Sequence, residues 1–556
     1  QGAAASDPDA PALKVLDAIL SAGKSSRLYN SLVYEQQIAA EAFSGADLPH
    51  DPGLFMVGAI MASGHTIEQG EAGLLAQVKR LRDAPPSAAE LSEAKNELLA
   101  SALRERETVD GRASAIGYAL RVAGDPDAVN TELVALQAVT AADVQRVARK
   151  YLAEDRRMTI RYRAESERPK GQPAAPVPVP PKQVATYDGP VFTLAPEADR
   201  QKPPAIGEPV QPVLPRPAEK TLANGLRVIV ARSSDLPLVT ADLTVKTGAS
   251  ADPPGLAGAA SMMAGMLTEG TKSRSAQAIA SQTESLGATL GSGGGLESSS
   301  VTLTVMPDKL AAGMAIMADV ARNPAFATEE LERQREQALD GLRVAYEQPG
   351  QVAGFAAAPV IYGGTPFGHT PQGTPASIRK LKPADLAALH AAGFRPDNAI
   401  LVLTGDISAE AGFAAAEQAF GGWARPASPL PAAPAVAPKI QPRAVAIDIP
   451  GTGQASVNVL KPAIARTDPA YYPGVVAATV LGGGYSARLN QEIRIKRGLS
   501  YGASARLSTA RTTGSFRASA QTKNESAGQV LELINAELAR LAAQPVGADE
   551  LKARKS

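Results

Sequence analysis

Arg494 and Tyr501 stand seven residues apart, a cation and a phenol near the end of a 556-residue chain. A guanidinium presents a planar fork of N–H groups and a phenol a single O–H, donors suited to a carbonyl oxygen or a developing oxyanion. An internal control singles this pair out. Lys24-Ser25-Ser26-Arg27-Leu28 returns 461 residues later as Tyr485-Ser486-Ala487-Arg488-Leu489, and Gly53-Leu54-Phe55 returns as Gly514-Ser515-Phe516. Glu90-Leu91 returns as Glu550-Leu551, an offset of 460. Agreement at three places marks a duplicated domain. Where the later copy has Arg494 and Tyr501, the earlier has Val33 and Ala40. Ahead of Tyr485, the run Gly482-Gly483-Gly484 could let a peptide backbone approach closely, and a tight strand–helix turn accounts for it equally well.

Other chemistries find little support. The four histidines, His50, His65, His369 and His390, are too far apart for a helical pair to hold a metal. His50 reads as a turn residue and His369 as part of a glycine-rich loop. No nucleophile elbow, P-loop or dinucleotide fingerprint occurs in a supporting context. Gly291 to Gly295 lacks the helix and lysine of a phosphate cradle and reads as a flexible turn. With no cysteine, disulfides and thiolate chemistry are excluded. Fifty-six basic residues balance 56 acidic ones, so no net field steers nucleic acid, and no apolar run is long enough to span a membrane.

The elements that must position these residues follow from patterning. Residues 12–49 read as helix and Leu54 to Ala62 as an apolar strand. A charged helix starts after Ser87, whose spacing to Glu90 suits a capping box, and another starts after Thr140. Met158 to Tyr162 alternates like a strand. Thr221 to Leu226 is a turn signal leading into the strand Arg227–Ala231. Proline-dense chain, extended and stiff, separates the units. The expected organisation is an N-terminally truncated unit at 1–166, a linker at 167–219 and a unit at 220–425. A second linker at 426–442 and a C-terminally truncated unit at 443–556 complete it. The last copy stops some 70 residues earlier than the first, and the chain opens without Met, so a fragment of a longer protein is expected.

The middle unit resembles the M16 (insulinase/pitrilysin) metallopeptidase family. The residues that carry the resemblance run in order from Leu222-Ala223-Asn224-Gly225-Leu226-Arg227-Val228 through Lys246-Thr247-Gly248-Ala249-Ser250, Gly255-Leu256-Ala257 and Glu269-Gly270-Thr271. They continue through Tyr362 to His369, Gly373 to Ile378, Pro396-Asp397-Asn398-Ala399 and Leu403-Thr404-Gly405-Asp406. The resemblance implies an α+β fold of repeated domains, each an antiparallel sheet with helices on one face, closing in two halves around a peptide. It also implies a box His-x-x-Glu-His after Gly-Leu-Ala, whose histidines hold zinc and whose glutamate is the base. Here those positions carry Gly258, Ser261 and Met262, which supply neither ligand nor base. The third ligand position falls in the helix Glu329–Arg343, near Glu336, Asp340 and Gly341, where a lone carboxylate reads as a solvated charge.

The same resemblance assigns the motif Arg494 to Tyr501 to a pair that reaches across the closed clamshell to substrate beside the zinc. Spacing favours Arg494 over its neighbour Arg497. The function expected is the non-catalytic, substrate-binding portion of a zinc-dependent M16 endopeptidase. Zn2+ would be supplied by a preceding catalytic domain or an active M16 subunit, and the substrate peptide would be bound by addition to a sheet edge. The alternative is a non-enzymatic M16-like scaffold or peptide-binding subunit. The Ala/Pro-rich composition suits a bacterial periplasmic or secreted protein, with a cytoplasmic location left open.

Overall fold

The computed structural model describes residues 2–163, 193–202, 216–233, 236–430 and 442–555. Two compact units divide it, one of residues 1–154 with 215–556 and one of residues 155–214. Of the linker expected over 167–219, only 193–202 and 216–219 are described, and of that over 426–442 only 426–430 and 442. Among the described residues of the smaller unit, 3-10 turns at Glu154–Arg156, on its boundary, and at Glu197–Asp199 interrupt irregular chain. The strand expected over Met158 to Tyr162 is not formed: Met158, Ile160 and Tyr162 are exposed and join no ladder. Alternation alone cannot make a strand without a partner edge.

The larger unit begins with helix α1 (Ala10–Ser21), a π-helix (Tyr29–Glu35) and the antiparallel pair β1 (Ala39–Asp47) and β2 (Leu54–Met61). Helices α2 (Ile67–Asp83), α3 (Ala88–Glu105), α4 (Val109–Ala123), α5 (Ala128–Ala138) and α6 (Ala141–Tyr151) follow. Leu13, Leu16 and Leu20 of α1 form the fully buried stripe of this core. Ser87 and Thr140 cap α3 and α6 as expected, each in a reciprocal capping box. The single helix expected over 12–49 is broken. Gly23, at φ +78°, turns the chain after α1, and alanine-rich residues 39–47 take strand geometry because β2 offers a ladder.

The middle segment, 216–430, is built on a six-stranded sheet in the order β3-β4-β8-β5-β7-β6. These are β3 (Ala218–Thr221), β4 (Arg227–Arg232), β5 (Val239–Val245), β6 (Thr289–Gly294), β7 (Ser299–Val305) and β8 (Ala399–Gly405), antiparallel except for β4 with β8. Val239, Ala241, Leu243 and Val245 alternate into the core with Val301, Leu303 and Val305. Eight helices accompany the sheet: α7 (Ala259–Gly265), α8 (Ala276–Ser285), α9 (Leu310–Arg322), α10 (Thr328–Tyr346), α11 (Pro349–Tyr362), α12 (Pro375–Ile378), α13 (Pro383–Gly393) and α14 (Ala409–Phe420). The glycine run at 291–295, expected as a turn, is for the most part the edge strand β6. A Cβ on Gly294 would lie 2.9 Å from Ala260 O, so the bare backbone is what lets α7 lie against this strand.

The last segment contains β9 (Gln454–Ala463), α15 (Tyr471–Gly482), a π-helix (Asn490–Ile495), β10 (Ala503–Thr509), β11 (Gly514–Lys523), α16 (Ala527–Ala543) and α17 (Ala548–Lys555). Its sheet runs β10-β11-β9, all antiparallel. The architecture is α+β and internally repeated. Helices α1 and α15 are offset by 461 residues at both ends, and the two π-helices start 461 apart. Strand register repeats as well: Phe43 pairs with Gly58, and Ser504 with Ser519. The landmark residues of the repeat are its staples. Arg27 donates from Nε and Nη2 to Glu90 at 2.7 and 3.2 Å, and Arg488 does the same to Glu550 at 2.8 and 2.6 Å. Burial pushes the Glu90 carboxyl up, but Arg27 and the Ser87 amide and hydroxyl outweigh it and hold it down at about 2. Among the described residues no helix is long and apolar enough to cross a membrane.

Candidate functional site

Gly258, Ser261 and Met262 sit at the start of α7, where sequence reasoning placed the degenerate metal box. Gly258 has φ +97°, and a Cβ there would lie 2.7 Å from Ile378 Cδ1. Ser261 Oγ donates to Gly294 O at 3.3 Å, and Met262 is packed into the core. Glu336 and Gly341 are exposed, and Asp340 pairs with Arg343 at 3.1 Å. These residues do not fit a zinc ion. Among the described residues no group of three or more His, Asp or Glu side chains could hold a metal.

What fills the place is a buried carboxylate that sequence reasoning missed. Asp252 accepts from the N–H groups of Gly258 and Ala260, both at 2.7 Å, and His369 Nδ1 lies 4.0 Å from it. Burial drives Asp252 up to about 6, against the pull of those two N–H groups and His369. The available signal was an aspartate six residues ahead of a helix whose own start, glycine and alanine, has no side-chain cap.

The second candidate region lies in the last segment, and three stretches meet there. Glycines 482–484 close α15, Arg494 sits in the π-helix, and Tyr501 stands at the entrance to β10. One buried asparagine, also missed from sequence, ties them together. Asn490 Nδ2 donates to Gly484 O at 2.9 Å, and its Oδ1 accepts from Ala503 N at 2.8 Å. The expected strand–helix turn at the glycines is instead a helix end leading towards the π-helix. Gly482 has a packing role: a Cβ there would lie 2.0 Å from Ala505 N and 2.5 Å from Ser504 C. Gly484, in contrast, has open space around it.

Arg494 and Arg497 are separated by their partners. Arg497 Nη1 donates to Glu492 Oε2 at 2.6 Å and to its backbone O at 2.8 Å. The Arg494 guanidinium lies 4.8 Å over the ring of Tyr485, and among the described residues it has no carboxylate partner. A cation over an aromatic face is held in place while its N–H fork stays free. The Tyr501 side chain is 93% exposed. In the first copy the equivalent loop is already occupied. Lys24 N and Ser25 N donate to Glu284 at 2.8 and 3.1 Å, and Lys24 Nζ pairs with Glu269 at 2.5 Å. Lys24 holds the position of Tyr485, and the buried Val33 that of Arg494. One copy uses this loop for internal packing, and the other leaves it open to solvent.

Comparison with known proteins bears on family and fold. The profile described as "Peptidase M16 inactive domain" matches residues 1–98 and 380–556, and that of "Insulinase (Peptidase family M16)" matches residues 227–356. An uncharacterized zinc protease of Streptomyces coelicolor is 24% identical over 335 residues, 60% of this chain and 73% of the relative. The crystal structure of a peptidase M16 inactive domain from Pseudomonas fluorescens superposes with a TM-score of 0.57 at 28% identity. That match covers 61% of this chain and 82% of the other. A protease from Helicobacter pylori shares the fold, with a TM-score of 0.59 at 19% identity over 62% of this chain and 84% of its own. Family profiles, relatives and fold agree, and the chain belongs to the M16 (insulinase) family of peptidases.

Proposed function

We propose that the chain is the non-catalytic, substrate-binding portion of a zinc-dependent M16 endopeptidase acting on extended peptides. The observation that carries this reading is the contrast between the start of α7 and the end of the π-helix that carries Arg494. The degenerate box at Gly258, Ser261 and Met262 has been closed by Asp252 and core packing, while Arg494 is held over Tyr485 with its donor fork free. Zinc and the general base would come from a preceding domain or a partner subunit, and the relatives' description as zinc proteases supports zinc in such a parent.

In this reading Arg494 donates to a peptide carbonyl, and the Tyr501 hydroxyl donates to the oxyanion that forms during attack. Gly484, open and without a side chain, leaves room for the peptide backbone; Gly482 and Gly483 shape the loop from behind. The three-unit organisation, with boundaries near 166, 220, 425 and 443, is part of the same proposal, as is a periplasmic or secreted location. The test combines the chain with a zinc-bearing M16 domain and measures peptide cleavage. Tyr501→Phe should lower kcat on the order of 100-fold with little change in KM, the size of one lost oxyanion donor. Full turnover by that variant would remove Tyr501 from the mechanism. A second reading, a scaffold or peptide-binding subunit without catalysis, is favoured by the inactive-domain profile matching both ends of the chain. It predicts peptide binding with no cleavage under any zinc-bearing partner.

A further inference from the structure

Strands β10 and β11 place two cations side by side. Arg506 and Arg517 are register partners in this antiparallel pair. Directly opposed residues have Cα atoms about 4.5–5.5 Å apart and side chains on one face of the sheet. Like charges in that arrangement repel, so the pair weakens the ladder in which it stands. The fold does not require it. The same register position in the first copy, 461 residues earlier, holds Gly45 opposite Met56.

No acidic residue relieves the repulsion. Strands β9, β10 and β11 contain no Asp or Glu, and among the described residues neither arginine has a carboxylate partner. Neutral groups hold Arg517 instead. Its Nε donates to Asn458 Oδ1 at 2.7 Å, and Asn458 Nδ2 donates in turn to Ser456 O at 3.3 Å and Ser456 Oγ at 3.1 Å. That chain fixes the guanidinium through Nε and spends neither Nη group. Burial, opposed by no carboxylate, pushes Arg517 below the ordinary arginine value. Arg506, on the edge strand, is exposed. On the adjacent rung Ser504 and Ser519 face each other with their hydroxyls 3.3 Å apart. Helix α11 covers the β9 side of this face, where Leu460 packs against Ile361, Tyr362 and Phe367. Along β10, where Ser504, Arg506 and Ser508 are exposed, the face is open.

We propose that Arg506 and Arg517 form a carboxylate-binding subsite for peptide, with Asn458 as the residue that positions Arg517. Both guanidinium groups donate to the same carboxylate, which cancels the repulsion across the strands. The Ser504 and Ser519 hydroxyls supply further donors on the adjacent rung. The subsite selects an acidic side chain or the C-terminal carboxylate of an extended peptide. The inference rests on the reading above in taking a peptide as the ligand. Tyr501 stands five residues before Arg506, at most ~17 Å of extended chain. The preferred carboxylate therefore lies within about five peptide residues of the bond attacked beside Tyr501.

The experiment measures binding of short synthetic peptides to the full chain by calorimetry, without any zinc-bearing domain. The peptides share one sequence of uncharged residues: amidated with a central Glu, amidated with Gln in its place, and Gln with a free C-terminus. The Glu peptide, the free-terminus peptide or both should bind about tenfold or more tighter than the amidated Gln peptide. The arm that gains identifies the source of the carboxylate. Arg506→Gln, at an exposed edge position, and Arg517→Met, which installs the residue of the first copy, should each remove most of that preference. Both should leave the affinity for the amidated Gln peptide unchanged. Asn458→Ala should reduce the preference severalfold with both guanidinium groups present, and Arg506→Lys, which keeps the charge without the fork, should retain part of it. Equal binding of all the peptides, or no measurable binding of any, would overturn the proposal. So would a preference that survives both arginine variants, or one that disappears only with Arg494→Gln. Tyr501→Phe must leave the preference intact, so a failure of the catalytic reading and a failure of this subsite appear in different measurements.

Discussion

Gly482→Ala separates a glycine needed for packing from one needed for substrate. The added methyl would lie 2.0 Å from Ala505 N, 2.5 Å from Ser504 C and 2.8 Å from Ser504 Cα. All three are backbone atoms of β10, so no rotamer change relieves the clash. To restore an ordinary contact of 3.4 Å, the end of α15 must retreat by roughly 1.4 Å from the strand. Overpacking of a fitted interior costs about 1–3 kcal/mol, and a backbone obstacle puts this case at the upper end. The first copy shows the relaxed alternative: Ser21 occupies the same position, with its Oγ 2.8 Å from that of Ser44. Helix α1 thus stands off its strand where α15 does not. The assay is hydrogen exchange of residues 471–482 and 503–509 in the full chain, because a chain of several segments has no single unfolding free energy. Gly482→Ala should raise exchange in both stretches by about 150-fold, equivalent to ~3 kcal/mol. Gly484→Ala, in open space, should leave exchange unchanged. Unchanged protection in Gly482→Ala would refute the packing argument and return that glycine to the substrate side of the site.

The Arg27–Glu90 staple predicts an acid limb in stability. Glu90, held at about 2 against an ordinary 4.5, binds its proton less readily when folded. Its contribution is therefore complete above pH 4.5 and is lost as pH falls towards 2. The displacement corresponds to about 3 kcal/mol at face value, and with 36% of the side chain in water about 1–2 kcal/mol is expected. Glu90→Gln should flatten that part of the pH–stability curve, measured as hydrogen-exchange protection of residues 88–105 against pH. Asn490→Ala should strand the Gly484 carbonyl and the Ala503 amide at a cost of about 1–3 kcal/mol, and hydrogen exchange at Ala503 should report it. Restoring the metal box as Gly258→His/Ser261→Glu/Met262→His should fail. A histidine at φ +97° is strained, and its Cβ meets Ile378. Elemental analysis after dialysis should find no stoichiometric zinc in that variant; one retained equivalent would contradict this account of the box.

Much of the fold was legible because short-range chemistry wrote it. The Ser87 and Thr140 capping boxes form between residues three apart, and the strand after Gly225 follows from a local turn. The three misread stretches turn on pairing and packing that composition and alternation do not reveal. Residues 39–47 are helix-prone alanines until β2 pairs with them. The glycine run at 291–295 supplies an edge strand because α7 needs bare backbone beneath it. Residues 158–162 alternate but join no ladder. In the site, types and spacing pointed to Arg494, Tyr501 and the glycines, but Asn490 and Asp252 are ordinary residues until folding surrounds them.

By itself the sequence determined that the chain is duplicated, that it resembles M16 peptidases, and that its metal box lacks every zinc ligand. Those conclusions need only residue identity and spacing, which survive without coordinates. Tertiary structure alone decided what became of the two copies. The same loop is occupied by Glu284 in one and open in the other. The contacts with Glu284 join segments more than two hundred residues apart in sequence, and no local pattern encodes them.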